Sequence, residues 1–260
     1  MYENIQFGVD GGVATLTLNR PDKLNAVSPG LLLDMRAALK SIVADTTVRA
    51  LVVKANGRAF CSGVDLTSPR PGMNPQDRDE MLRDYFHPAF SLLKEFRVPT
   101  IAVVQGPAVG AGLSLALTCD IVVAAESAYF QAAFVNIGLT PDTAAGWLLH
   151  GALGSARATG MLLLGERVSA AEAHQWGLIW KTVPDGELSR VADDIAARFA
   201  SGPTVAYGLI KRLMRSGIDG GYHKAWASEA ESQAIARKTE DAQEARKAFA
   251  EKRKPVFRGC

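Results

Sequence analysis

Hydrophobic and polar positions change rhythm several times along the chain. Residues 13–18 (VATLTL) alternate and are rich in β-branched side chains, the two-residue period of a strand. ALVVKA (50–55), IAVV (101–104) and IVVAA (121–125) are short apolar runs that read as further strands. Between them the spacing turns helical. Ser28 and Pro29 supply an N-cap and a first-turn proline for a helix through about residue 44, and helical patterns follow at about 76–96 and 112–119. Strands alternating with helices imply crossover connections and parallel pairing, an α/β fold. From residue 143 the pattern is mostly helical, with IWKTV (179–183) as a last strand.

Charge sharpens this division. Residues 101–140 hold two charged side chains, Asp120 and Glu126, whereas 221–260 hold fifteen. The first stretch is expected in the core, the second as a long surface helix or an arm on another subunit. Asp120 is expected to end a helix or pair structurally, and Glu126 to lie in a turn. The whole chain of 260 residues carries a net charge of +2, which speaks against a nucleic-acid partner. Three distant cysteines, Cys61, Cys119 and Cys260, suit a reducing compartment. The N-terminus lacks a basic segment followed by an apolar run. The most apolar stretch, Ile101 to Leu117, is interrupted by Gln105, Ser114 and several Gly or Pro residues, so no membrane span is expected. A soluble, cytoplasmic protein is the expectation.

Two glycine loops stand at the ends of expected parallel strands, where α/β sheets bind ligands. Gly57–Leu66 follows the strand at 50–55, and Gly106–Gly112 follows the strand at 101–104 and opens a helix. Neither a dinucleotide fingerprint nor a phosphate-loop pattern is present. Glycines taken alone favour tight turns and close helix–strand packing. Two such loops on neighbouring strands allow another reading, in which two free N–H groups converge on one oxygen.

The phrases LNRPDKLNA (18–26), RAFCSGVDL (58–66), QGPAVGAGLSLALTCDIVVAA (105–125), FVNIGLTPD (134–142), GERVSAAEAHQWGLIWKTV (165–183) and AFAEKRKPVF (248–257) occur in order along the chain. Together they resemble the enoyl-CoA hydratase/isomerase (crotonase) superfamily. The resemblance implies a spiral of repeated ββα units over residues 1–200 and a helical region, 201–260, that builds a homotrimer or a hexamer of two trimers. It implies an acyl-CoA thioester as substrate, with coenzyme A as part of it, no permanently bound cofactor and no metal. Carried over residue by residue, the oxyanion-binding N–H groups are those of Val64 and Ala111. Glycine is more usual at the second place, but alanine keeps the N–H. The CoA and substrate lining would comprise Lys23, Leu24, Ala26, Cys61, Ser62, Gly63, Asp65, Leu66, Gly110 and Phe134. Phe249 and Lys252 would lie near the nucleotide, supplied by a neighbouring subunit.

The acid–base groups then separate the chemistries. A hydratase of this type resembles a two-glutamate site, and the corresponding positions here are Ser114 and Phe134. Neither can exchange a proton with water as a carboxylate does, so standard hydration is not expected. Asp142 is the carboxylate that remains in this region. It could be a helix N-cap, by its place after Pro141 and before TAAGWLL. The phrase around it also resembles the subgroup containing ring-1,2-epoxyphenylacetyl-CoA isomerase and related double-bond isomerases, which use an aspartate here for proton transfer. The expected activity is therefore an acyl-CoA isomerase. A rival is an aryl-CoA dehalogenase or hydrolase pairing Asp142 with His87 of DYFHPAF. The resemblance also leaves room for an enoyl-CoA hydratase by family label, and for a non-catalytic member that binds acyl-CoA or a partner. Acyl specificity is expected to reside in the walls formed by 67–90.

Overall fold

The computed structural model describes residues 2–67, 78–217 and 221–260; for 78, 79, 216 and 217 the backbone alone is described. Six strands form the main sheet: β1 (Ile5–Asp10), β2 (Val13–Leu18), β3 (Ala50–Ala55), β4 (Thr100–Val104), β6 (Ile121–Ala125) and β9 (Lys181–Val183), side by side in that order. β1 and β2 form an antiparallel hairpin, and every later pair is parallel. A second sheet joins β5 (Ala108–Val109), β7 (Tyr129–Gln131) and β8 (Arg167–Ser169).

The apolar runs explain the arrangement. Every residue of β4 is buried, as expected for a strand covered on both faces. α1 (Pro29–Ile42) buries Leu31, Leu32, Met35, Ala38, Leu39 and Ile42, a helical stripe facing the core, and the Ser28 side chain accepts from the Leu31 N–H as its cap. α4 (Ala111–Thr118) is buried on all sides, so it is a helix through the core. Before β4 the chain runs through α2 (Arg78–Met81), a π turn at Leu82–Phe86 and α3 (His87–Lys94). α5 (Ala145–Leu164), kinked at Gly154, follows the second sheet's β7. Then come α6 (Ala170–Trp176) and α7 (Leu188–Ala200).

Three strands of the second sheet and the hairpin strand β1 were not expected from the pattern. β5, β7 and β8 span only two or three residues each, and β1 buries only Ile5 along its length, so neither shows a readable period. The charged tail differs from the expected long helix in being two. It forms α9 (Gly221–Ala236) and α10 (Glu240–Ala250), preceded by α8 (Thr204–Gly217), and its end turns back on the same chain. There the buried Asp241 carboxylate accepts from the N–H groups of Arg258 and Gly259 at 2.6 and 2.9 Å, and Arg49 donates to the Phe257 carbonyl. Asp120 pairs with the buried Lys211 at 2.6 Å, tying α8 to the end of α4, and Glu126 lies in a turn, both as expected. Among the described residues no helix is long and apolar enough to cross a membrane.

Candidate active site

The loops leaving β3 and β4 are stitched together by main-chain bonds. Cys61 N–H donates to the Pro107 carbonyl at 3.0 Å, and Val109 N–H donates to the Cys61 carbonyl at 2.9 Å. The approach is so close that a Cβ on Gly112 would stand 2.2 Å from the Cys61 oxygen, so only glycine fits at this point of α4. Gly63 adopts φ +103, and a Cβ built on it would lie 3.1 Å from the Val109 oxygen and 4.0 Å from the Ala111 nitrogen. The two loops thus bring Gly63–Val64 against Gly110–Ala111. Among the described residues neither the Val64 N–H nor the Ala111 N–H donates to a protein acceptor. Ala111 opens α4, so its N–H is one of the groups that a helix leaves without an internal partner.

The 20–27 segment backs this arrangement. Ser62 N–H donates to the Leu24 carbonyl at 3.0 Å, and Val27 N–H to the Gly63 carbonyl at 2.7 Å. Arg20 pairs with the Asp65 carboxylate at 2.8 Å and also reaches the Ala26 carbonyl. Buried Asn25 donates to the Asn56 and Ala59 carbonyls and accepts from the Arg20 N–H. Lys23, Leu24, Ala26, Cys61, Ser62, Gly63, Asp65 and Leu66 therefore come together around one pair of loops. Within that group the Asp65 carboxylate is taken up by Arg20 and Thr67, and Leu66 is exposed at the lip. Burial pushes the Cys61 thiol up to about 12, so it is a neutral packing group. Phe134 is buried, with its ring edge 4.0 Å from where a Gly110 Cβ would stand. Phe249 and Lys252 lie apart: Phe249 is 86% exposed on α10, and no hydrogen bond ties either side chain to the loops among the described residues.

Asp142 lies before α5, beside a cavity of about 770 Å³. Its carboxylate is not a helix cap. The residue flanking α5 is Ala144 in a left-handed conformation, with no side-chain cap, and it is the Asp142 main-chain carbonyl that accepts from Ala145 N–H at 3.0 Å. Thr143 is also left-handed, at φ +54, which is unusual for a β-branched residue. Its hydroxyl lies 2.8 Å from Ser114 Oγ, 2.7 Å from the Asp142 carbonyl and 3.2 Å from Asp142 Oδ1. A hydroxyl rotates to suit its neighbours, so buried Ser114 and Thr143 can form a chain ending on the carboxylate.

The other wall of the cavity is α3 and the π turn before it. His87, Ser91 and Lys94 line it with Phe86 and Phe90, while Trp147 and Leu148 of α5 close the opposite side. His87 follows the π turn directly, is exposed, and has Nε2 3.4 Å from Ser91 Oγ. Asp142 and His87 thus share one cavity, as the rival reading requires. Within 67–90, residues 68–77 lie outside the described residues. Among the described residues Asp142 is the one carboxylate lining the cavity, and no cluster of three or more His, Cys, Asp or Glu could hold a metal. Sequence reasoning missed Thr143 and Lys94. A threonine next to a candidate aspartate carries no visible signal, because its left-handed backbone and its contact with Ser114 arise only in the fold. Lys94 was recoverable in part, standing seven residues after His87 on one helical face.

Residues 8–260 match the enoyl-CoA hydratase/isomerase family. The 1,2-epoxyphenylacetyl-CoA isomerase of Escherichia coli K12 is 39% identical, with all of both chains covered. The 4-chlorobenzoyl coenzyme A dehalogenase-2 of an Arthrobacter species is 33% identical, over 79% of this chain and 75% of its own. The crystal structure of an enoyl-CoA hydratase from Bacillus anthracis superposes with a TM-score of 0.93 at 30% identity, covering 99% of this chain and 100% of that one.

Proposed function

The chain belongs to the enoyl-CoA hydratase/isomerase family and has its crotonase fold; from that premise we propose that it is an acyl-CoA isomerase with Asp142 as its single proton-transfer group. The observation that carries this is the acid–base content of the cavity. Where the two-glutamate pattern would place carboxylates, Ser114 is buried against Thr143 and Phe134 is a buried ring, leaving Asp142 as the lining carboxylate among the described residues. One base suits moving a proton between two carbons better than adding water.

In this reading the thioester oxygen sits against the N–H groups of Val64 and Ala111. Asp142 takes a proton from C2 of a 3-enoyl thioester. The electron pair of that C–H bond delocalises towards the thioester oxygen, and the N–H groups stabilise the charge; one such donor is typically worth ~10²–10³ in rate. The proton then returns at C4, which gives the 2-enoyl isomer with no change in composition. A ring epoxide would be rearranged through the same stabilised thioester. Helices of 201–260 would form the trimer contacts, an idea supported by exposed Met214, Tyr222 and Trp226 and tested by sedimentation.

The test is turnover of a trans-3-enoyl-CoA by wild type and Asp142→Ala, with products separated by mass. Isomerisation without mass gain, reduced by ~10²–10⁴ in the variant, is expected. Rapid addition of water to a 2-enoyl-CoA by both proteins would overturn the reading. A second reading is favoured by His87 in the same cavity. Asp142 would displace halide from a 4-halobenzoyl thioester, and His87 would take the proton of the water that releases the aryl ester. A single burst of halide per site, with further turnover lost, in His87→Ala would support it.

A further inference from the structure

Lys94 is the one lysine of α3, it lines the cavity, and the proposed proton transfer does not use it. It is the last residue of α3, half-buried, with its ammonium 5.7 Å from the centroid of the Trp147 ring. Among the described residues that ammonium has no hydrogen-bond acceptor. The nearby Asp120 carboxylate is already engaged by Lys211 at 2.6 Å and by the N–H and hydroxyl of Thr100, each at 2.8 Å. Arg215 adds a further cation, donating to the Lys94 carbonyl at 2.6 Å. Three cations thus gather at this end of α4, and Lys94 lines both the cavity beside Asp142 and the neighbouring one that holds Asp120, Lys211 and Arg215.

Position adds meaning to this surplus of positive charge. α4 begins at the Ala111 N–H and runs for eight residues to Thr118, a length of ~12 Å. Thr118 lines the same cavity, and Lys94 senses Cys119 and Asp120 just beyond it. The thioester end and the Lys94 end therefore stand a helix-length apart. Phe86, Phe90, Trp147 and Leu148 form the apolar part of the cavity walls, and Arg83, His87 and Ser91 the polar part. Burial pushes the Lys94 pKa down, so its charge lacks adequate solvation in the chain alone.

We propose that Lys94 selects acyl groups whose end remote from the thioester carries a carboxylate. The proposal rests on the acyl-CoA reading but not on isomerase chemistry. A carboxylate there would accept from the ammonium and add to the partial counter-charge of Asp120, which Lys211 shares. A methyl end would leave the ammonium dehydrated and unpaired.

Equilibrium binding of suberoyl-CoA and octanoyl-CoA, measured by calorimetry, tests it without turnover. Both have eight carbons and the same nucleotide, so their difference isolates the distal group. Wild type should bind suberoyl-CoA ~10-fold more tightly, the usual worth of a charge-assisted hydrogen bond. Lys94→Met should level the pair, and Lys94→Arg should keep most of the preference. Equal binding by wild type, or a preference that survives Lys94→Met, would overturn the proposal and leave the acyl-CoA reading standing. Binding of neither thioester would overturn both. The wild-type comparison needs no variant and so does not depend on how the substitutions fold.

Discussion

At position 114 a small hydroxyl meets the Thr143 hydroxyl at 2.8 Å and, unlike a carboxylate, would not compete for the proton that Asp142 is proposed to move. Thr143 is the costly member of the trio, since a β-branched residue at φ +54 stores ~1–3 kcal/mol of backbone strain. Such strain persists where the surroundings overdetermine it, here through the bonds to Ser114 and to Asp142 itself. Thr143→Val keeps the volume and removes the hydroxyl. Turnover should fall ~10-fold or more as the carboxylate loses its bearing, with KM nearly unchanged, and Thr143→Ser should restore most of it. Steady-state kinetics on a 3-enoyl-CoA would decide this, and an equal loss in the serine variant would argue that the methyl group, not the hydroxyl, matters. Asp142 was legible from its motif, and the replacement of both glutamates was legible from Ser114 and Phe134. The hydroxyl chain was not, because it joins residues 29 positions apart through a backbone conformation that threonine does not advertise.

Elements tell a similar story. The strands at 50–55 and 121–125 appear where their apolar runs placed them, since four or more consecutive buried side chains leave little choice. β5 and β7 owe their existence to partners far away in sequence rather than to any pattern of their own. What α4 contributes is its first turn, pressed onto the Cys61 loop. A Gly112→Ala side chain would meet main chain, not a yielding side-chain tip, at 2.2 Å. The loop or the helix must move, at ~1–3 kcal/mol, and the Val64 and Ala111 N–H groups move apart with it. Activity should drop by ~10²–10³ with a lower melting temperature, whereas Ala111→Gly keeps its donor and should stay within a few-fold. Parallel melts and rate measurements on the two variants separate these outcomes, and similar behaviour of both would count against the assigned roles.

Over the whole molecule the three cysteines report on packing. Burial raises the thiols of Cys61 and Cys119 to about 12, while Cys260 is exposed and raised chiefly by partial desolvation, then by Glu240. Thiolate forms above the pKa, so iodoacetamide should label Cys260 alone in the native protein, at a rate still climbing with pH beyond the ordinary thiol range. The other two should react only on unfolding, as intact-mass measurement would reveal; native labelling of Cys61 would mean that the paired loops open. Those loops have one more consequence. Their two unpaired donors belong to the main chain, one of them in a residue that is already alanine. A systematic alanine scan would therefore pass over the N–H groups proposed to stabilise the thioester oxygen and would assign all of the chemistry to side chains. Semisynthesis with an ester bond in place of the amide at residue 64 or 111 would delete a single hydrogen-bond donor while leaving every side chain intact.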